Sequence, residues 1–486
     1  MKPNPRAHGM AMLGLLGLWV AGAPSLRAQT KRPNVLLLMA DDLGFGDTGY
    51  NGHKVLQTPH LDAMSREGVR FDRFYAASPV CSPTRASCLT GRHGARSGVL
   101  RTAAPYLPPD EICLATILRD QGYVTGHFGK WHLGAFQAAE NGKQRRTCTP
   151  DQHGFDEWFS TERYVPTFDP HDAAEDIDLI EATASEGPAD SRYRHNGREV
   201  EEPLKGDDSR IVMDRTLSFI NRAAADSRPF FAAVWFHSPH APITGAPEFL
   251  RHYPDRCQGE QHYFACVSGL DAQVGRLRAA LQSLGVDRDT MLWFCSDNGP
   301  EGMPGPKRRL RGSTGGLRGR KRSLYEGGIR VPALLCWPAA FATPRVIESP
   351  AVTSDFFPTV LDAIGVPLPG NRIYDGVSLM PLLRGETSKR GRPIAFHHRW
   401  QDALCGSRFK VVRNRRGKRH MSDNGSVPFA EWELYDLSSD PFETTNVAHE
   451  YRERLLAMRT ELLAWRSSLA SGFEDGTEPP RPPQHR

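Results

Sequence analysis

The strongest constraint on this chain is a recurring pair: a short, mainly apolar run followed at once by polar residues of catalytic type. Val35–Met39 runs into Ala40-Asp41-Asp42, and Tyr123–Phe128 into Gly129-Lys130-Trp131-His132. Phe230–Phe236 runs into His237-Ser238-Pro239-His240, and Met291–Cys295 into Ser296-Asp297-Asn298-Gly299; Ala333–Trp337 is a fifth run. Apolar runs this short read as strands buried on both faces. Between them, helical periodicity predicts helices at Pro59–Glu67, Leu114–Gln121, Ser209–Ala225, Tyr263–Leu284 and Ser354–Ile364. The alternation predicts an α/β fold, a large mixed, mostly parallel sheet sandwiched by helices. Ligands in such sheets bind beyond the carboxyl ends of the strands, so the polar residues are expected to converge on one crevice.

Composition shifts near residue 385. Arg392–Arg413, Trp432–Leu437 and the helical pattern Thr445–Leu469 predict a smaller C-terminal α+β domain, an antiparallel sheet closed by a helix. The expected division is a main domain over 31–385, the small domain over 386–470, and a tail over 471–486 too rich in Pro, Gly and charge to build a core. At the other end, Lys2 and Arg6 precede the apolar run Gly9–Ala23, then Pro24 and small-residue exits at Ala23 or Ala28. Residues 1–28 are therefore expected to be a secretory signal peptide, with an uncleaved anchor as the alternative. The run falls short of the ~20 apolar residues that span a bilayer. Export, periplasmic or secreted, is the expectation, with no membrane span once the signal is removed. A net charge of +5, from 61 basic and 56 acidic residues, is too balanced to imply nucleic acid. Nine cysteines, an odd number, leave at least one outside any internal disulfide.

The candidate chemistry follows from residue types. Asp41 and Asp42 with Asp297 and Asn298 offer hard oxygen ligands carrying three negative charges, a set for Ca²⁺ or Mg²⁺; taken alone, such loop carboxylates also serve as turn residues or helix caps. Zinc is disfavoured because Cys-x-x-Cys and His-Glu-x-x-His are both absent. His132, His237 and His240 are of a type that moves protons near neutral pH, and Lys130 and Lys321 of a type that holds anionic oxygens. Lys307–Arg322 has the charge of a polyanion-binding loop, or of a solvated insertion; its Gly312, Gly315 and Gly316 do not make a phosphate loop. The sharpest signal is Cys81-Ser82-Pro83-Thr84-Arg85, continuing to Leu89-Thr90-Gly91-Arg92. A lone cysteine nucleophile needs a base or a lowered pKa, and this segment offers only Arg85; a structural disulfide is the plainer use.

Together these residues resemble the formylglycine-dependent, arylsulfatase-like sulfatases of the alkaline phosphatase superfamily. The resemblance rests on Cys81–Arg85 with Leu89–Arg92, on Asn34–Gly46, Gly129–Gly134, His237–Pro242, Ser296–Gly299 and Tyr325–Pro332, in order over most of residues 33 to 450. It implies that Cys81 is oxidised to Cα-formylglycine by a maturation enzyme. Asp41, Asp42, Asp297 and Asn298 would bind one Ca²⁺ with the modified residue 81. Arg85 would stabilise the aldehyde hydrate, His132 would hydrogen-bond to it, Lys130 and Lys321 would grip sulfate, and His240, just before Ala241-Pro242, would protonate the leaving alcohol. One hydroxyl of the hydrate would attack sulfur, forming a covalent sulfo-enzyme, and the other would expel sulfate.

The implied activity is hydrolysis of sulfate esters, expected on a sulfated small molecule or glycan, with residues 31–385 as the catalytic domain. Two other readings stay open at this level: a phosphatase or phosphodiesterase of the same superfamily, and a non-catalytic protein that binds sulfated glycans.

Overall fold

Residue alternation along the strands decides the layers. The structure is a computed structural model that describes residues 1, 32–103, 105–140, 143–170, 192–303, 309–310, 312–415 and 430–469. The expected signal segment beyond Met1 and the expected tail lie outside the described residues. Ten strands form the main sheet: β1 Asn34–Ala40, β2 Val69–Phe71, β3 Val124–Lys130, β4 Glu157–Thr161, β5 Arg194–His195, β6 Arg198–Glu199, β7 Phe230–Trp235, β8 Thr290–Ser296, β9 Ala333–Cys336 and β10 Arg345–Ile347. Their spatial order is β10-β2-β9-β8-β1-β7-β3-β4-β5-β6. The centre, from β8 through β1, β7 and β3 to β4, is parallel, while β9 and the β5–β6 edge run antiparallel to their neighbours.

Side chains two apart share a face. Val35, Leu37 and Met39 pack with Phe231, Ala233, Trp235, Met291 and Trp293 beneath α2 (Cys81–Thr90), α3 (Leu114–Asp120) and α6 (Phe356–Ala363). Leu36 and Leu38 join Ala232, Val234, Leu292 and Phe294 beneath α1 (Pro59–Glu67), α4 (Asp208–Ala225) and α5 (Gln258–Ser283). The expected helix-covered sheet is therefore present. Helix α5 starts upstream of the expected Tyr263, because Gln258–His262 is polar and lacks the apolar period that marks a helix in sequence. Ser354 falls instead in a 3₁₀ turn, Thr353–Asp355, whose Asp355 side chain accepts from the Val352 amide.

Four antiparallel strands follow, β11 Ile394–His398, β12 Gln401–Cys405, β13 Phe409–Asn414 and β14 Trp432–Asp436, closed by α7 Arg452–Ser468. One face (Phe396, Ala403, Val412, Tyr435) packs on Tyr75, Leu324, Tyr325 and Val352; the other carries Met458 and Leu462 of α7. The described residues from Pro33 onward form one compact unit. No described helix is long and apolar enough to cross a membrane.

Candidate active site

In-register pairing brings the strand ends together. Met39 lies between Trp235 and Cys295, and Trp235 opposite Gly129, so Asp41-Asp42, Asp297-Asn298, Lys130 and the His237–His240 turn leave the sheet at one level. Gly129 has φ 98°, and a side chain there would run into the Trp235 carbonyl oxygen; glycine lets β3 close on β7 just before Lys130. Asp42 (φ 66°) and His132 (φ 54°) hold the left-handed backbone uncommon for residues with a Cβ, a strain that clusters at functional sites.

Helix α2 closes the site against these strand ends. Cys81 is its first residue, and Thr84 fixes the start of the helix by accepting from the Ser78 amide and donating to the Ser78 carbonyl at 2.9 Å. Arg85 lies one turn further on the same face as Cys81. Its guanidinium donates to Asp297 Oδ2 at 2.7 Å and to the Lys130 carbonyl at 2.9 Å, with the Trp235 ring 5.2 Å away. Lys130 Nζ donates to Asp41 Oδ2 at 2.6 Å and lies 3.8 Å from Cys81 Sγ, which is itself 3.3 Å from Asp41 Oδ1. Lys321 Nζ reaches Asp42 Oδ2 at 2.8 Å, and Asn298 Nδ2 donates to Asp42 Oδ1 at 2.7 Å. Candidate ligand atoms of Asp41, Asp42, Cys81 and Asp297 all lie within 4.8 Å of one another.

The electrostatics are uneven. Burial alone would raise the Asp41 carboxyl, but Lys130, His240, Arg85 and Lys321 outweigh it and hold it well below the usual carboxylate range. Asp297, pushed by burial and by Asp41, rises to about 7. Burial and the facing Asp297 and Asp41 also drive the Cys81 thiol well above its ordinary value. The buried Asn298 Oδ1 has no hydrogen-bond partner. Crowded carboxylates beside an orphaned amide oxygen are a donor set that fits a hard divalent cation.

The histidines separate by their bonds. His237 has both ring nitrogens engaged, Nδ1 with Asp208 at 2.8 Å and Nε2 with Thr161 Oγ1 at 2.7 Å, and is a structural residue. His240 lies 2.6 Å from the Ala241 carbonyl through Nδ1; a carbonyl only accepts, so Nδ1 carries the hydrogen and Nε2, 3.8 Å from Asp42 Oδ2, is the open nitrogen. The same reasoning puts the hydrogen of His132 on Nε2, which donates to the Thr102 carbonyl at 3.2 Å, and leaves its buried Nδ1 an unpartnered acceptor. Burial, then Lys130, lowers the pKa of both rings.

Every sequence-predicted site residue, Asp41, Asp42, Cys81, Arg85, Lys130, His132, His240, Asp297, Asn298 and Lys321, is buried in this one region. The profile of the family described as Sulfatase matches residues 33–366. The chain belongs to the sulfatase family. A second profile, described as N-sulphoglucosamine sulphohydrolase, C-terminal, matches residues 319–467 of the sulfatase. Steryl-sulfatase of Mus musculus is 33% identical over 485 residues, covering 85% of this chain and 74% of its own. N-acetylgalactosamine-6-sulfatase of Canis lupus familiaris is 33% identical over 414 residues, covering 82% and 74%. Among solved structures, Ps i-CgsB in complex with k-i-k-neocarrahexaose superposes with a TM-score of 0.75 and 25% identity, covering 93% of this chain and 94% of that one. The fold is alkaline phosphatase-like, and the sulfatase is a sulfuric ester hydrolase.

Three neighbours of the site escaped sequence reading. Glu301 holds Arg322 through both carboxylate oxygens and lies 3.6 Å from Lys321; Tyr164 stacks on His240 at 5.1 Å; Thr102 supplies the carbonyl for His132. Only Glu301, just after the Ser296–Gly299 turn, had a positional signal. Within the described residues of the basic segment, 309–310 and 312–322, Arg318 and Arg320 depart from both expectations, polyanion loop and solvated insertion. Arg318 lies over Tyr325 at 3.7 Å and donates to the Tyr435 hydroxyl, and Arg320 donates to the Glu301 and Gly312 carbonyls, so these charges are spent inside the fold.

Proposed function

We propose that this sulfatase is exported and hydrolyses sulfate esters of anionic carbohydrates, with Cys81 converted to Cα-formylglycine by a maturation enzyme and one Ca²⁺ held by Asp41, Asp42, Asp297, Asn298 and the modified residue 81. The observation that carries it is the convergence of Cys81 with three buried carboxylates, Lys130 3.8 Å from the sulfur. A thiol driven up by burial and by the facing Asp297 and Asp41 is a poor source of thiolate, so unmodified Cys81 makes a weak nucleophile. Its sulfur is also the one soft atom in an otherwise hard oxygen donor set; an oxygen function in its place makes the set uniform. The hydrated aldehyde supplies one hydroxyl to attack sulfur and a second to release sulfate, and the bound cation supplies positive charge for the sulfuryl oxygens.

The chain's own groups do the rest. Lys130 and Lys321, kept charged by Asp41 and Asp42 against the pull of burial, are the donors for the non-bridging sulfate oxygens. Arg85, pinned by Asp297 and the Lys130 carbonyl, fixes the side of the nucleophile, and the bare Nδ1 of His132 can accept a hydroxyl hydrogen there. His240 Nε2 faces the site and would hand its proton to the leaving alcohol oxygen; the negative charge of a bound sulfate ester favours its protonated form. A carbohydrate substrate is supported by the N-acetylgalactosamine-6-sulfatase relative and the neocarrahexaose-bound neighbour.

The test is peptide mass spectrometry across Cys81 after coexpression with a maturation system, paired with turnover of an aryl sulfate and an aryl phosphate. The aldehyde or its hydrate, with sulfate hydrolysed faster, is expected. An intact thiol in active enzyme, or faster phosphate turnover, overturns the reading.

A further inference from the structure

A cavity of about 410 Å³ adjoins the reaction centre and shares His132 with it. Its other walls include Tyr106, Arg145, Arg146, Glu162 and Arg163. Three backbone links hold it together. The His132 amide donates to the Glu162 carbonyl at 3.0 Å, so the continuation of β3, with the catalytic side, is tied to the continuation of β4, with the Glu162-Arg163 wall. The Ala135 amide donates to the Arg146 carbonyl at 3.3 Å, and the Cys148 amide returns to the Ala135 carbonyl at 2.9 Å, so the Arg145-Arg146 wall is bound to the same segment three residues beyond His132.

The charges in the cavity have distinct employment. Arg145 pairs with Glu162, whose other oxygen accepts from the Phe136 amide; that carboxylate is spent on the protein. Arg146 is exposed, with its guanidinium carbon 3.8 Å from the centroid of the Tyr106 ring. Stacking occupies the face of a guanidinium and leaves its N–H groups pointing outward in the plane, the geometry that takes an oxyanion with two parallel hydrogen bonds. Arg163 adds positive charge to the opposite wall. The volume falls within the range of ~300–1,000 Å³ typical of ligand sites, room for a sugar unit.

We infer that this cavity is a subsite for the sugar next to the one that carries the scissile sulfate, and that Arg146, braced on Tyr106, recognises an oxyanion, sulfate or carboxylate, on that neighbour. The inference rests on the reading of the centre at Cys81. The sulfatase would then prefer polyanionic glycans with closely spaced charges over isolated sulfate esters, and Arg146 would be a specificity-determining residue.

The test compares kcat/KM of the mature enzyme, and of Arg146→Ala and Arg146→Lys, on an aryl sulfate and on three sulfated disaccharides whose second sugar bears a sulfate, a carboxylate or no charge. In Arg146→Ala, the ratio of kcat/KM for a charged-neighbour disaccharide to that for the neutral-neighbour one is expected to fall about tenfold, the size of one lost charge-assisted hydrogen bond. Arg146→Lys should recover part of that ratio. The arm that falls, sulfate or carboxylate, names the substituent. A wild type that hydrolyses the sulfates while both ratios stay at their wild-type values in Arg146→Ala overturns the subsite and leaves the centre standing. A wild type that releases sulfate from no substrate overturns the centre and the subsite with it.

Discussion

Two largely buried ion clusters, each setting three carboxylates against three cations, have opposite designs. The centre beyond β1 and β8 holds Asp41, Asp42 and Asp297 against Arg85, Lys130 and Lys321. The cluster between the main body and the C-terminal sheet holds Glu326, Glu433 and Glu443 against Lys410, Arg330 and Arg318. In the second cluster Lys410 bridges Glu326 and Glu443 at 2.9 Å each, and neutral donors take up further carboxylate oxygens. Tyr75 donates to Glu326, Tyr325 and Tyr435 donate to Glu433, and the Glu326 amide donates to Glu443. In the first, carboxylates from different strand ends crowd within 4.8 Å of a thiol, and Asn298 Oδ1 and His132 Nδ1 are left without partners. Counting charges does not separate a structural network from a reactive one; the separation comes from whether the acceptors are already used.

The sharpest break between the two is Cys81→Ala. Removing a covalent nucleophile should cost on the order of 10⁴-fold or more in sulfate release, with thermal stability close to wild type because the side chain is small. Substitution in the other cluster should reverse that profile. Lys410→Met removes the one cation that Glu326 and Glu443 share, and chemical denaturation should show a loss of about 3–5 kcal/mol while sulfate release per folded molecule is kept.

Calcium should act on one cluster alone. Added to chelated protein at about a hundred times its dissociation constant, it should stabilise the fold by about 2.7 kcal/mol, read as a rise in Tm, and Asp297→Ala should abolish most of that rise while Lys410→Met preserves it. The smallest effect concerns Glu443, which burial and then Glu326 raise to about 7 against the opposing Lys410. Its folded value stands above the unfolded carboxyl near ~4.3, so the folded state holds the proton more tightly. Its contribution to stability is full below that unfolded value and is lost as pH rises through about 7. Glu443→Gln should flatten the pH dependence of stability across that window, by at most about 1.4 kcal/mol per pH unit.

Much of the centre was legible because it is built from strand ends. A buried parallel strand announces itself as an apolar run, and the residue after it must lie at the sheet's carboxyl edge, which placed Asp41, Lys130, His240 and Asp297 together before any coordinates. Histidine roles were less legible. His237 and His240 sit three residues apart in the same turn, and only the contacts of His237 with Asp208 and Thr161 mark it as structural. The cysteines show the same limit: all nine are free thiols and only Cys257 is exposed, so the odd count singled out Cys81 for a reason that pairing arithmetic does not contain.

By itself the sequence determined the α/β layering, through the period-two and helical spacing of its apolar residues, and the family, through motifs too local to need a fold. The tertiary structure alone decided which charges remain available. Arg318 is consumed by Tyr325 and by Tyr435 of the C-terminal sheet, while Arg146 lies exposed over Tyr106 at the edge of a cavity. The physical reason is that availability depends on partners distant along the chain, and those contacts exist only once the hydrophobic faces have packed.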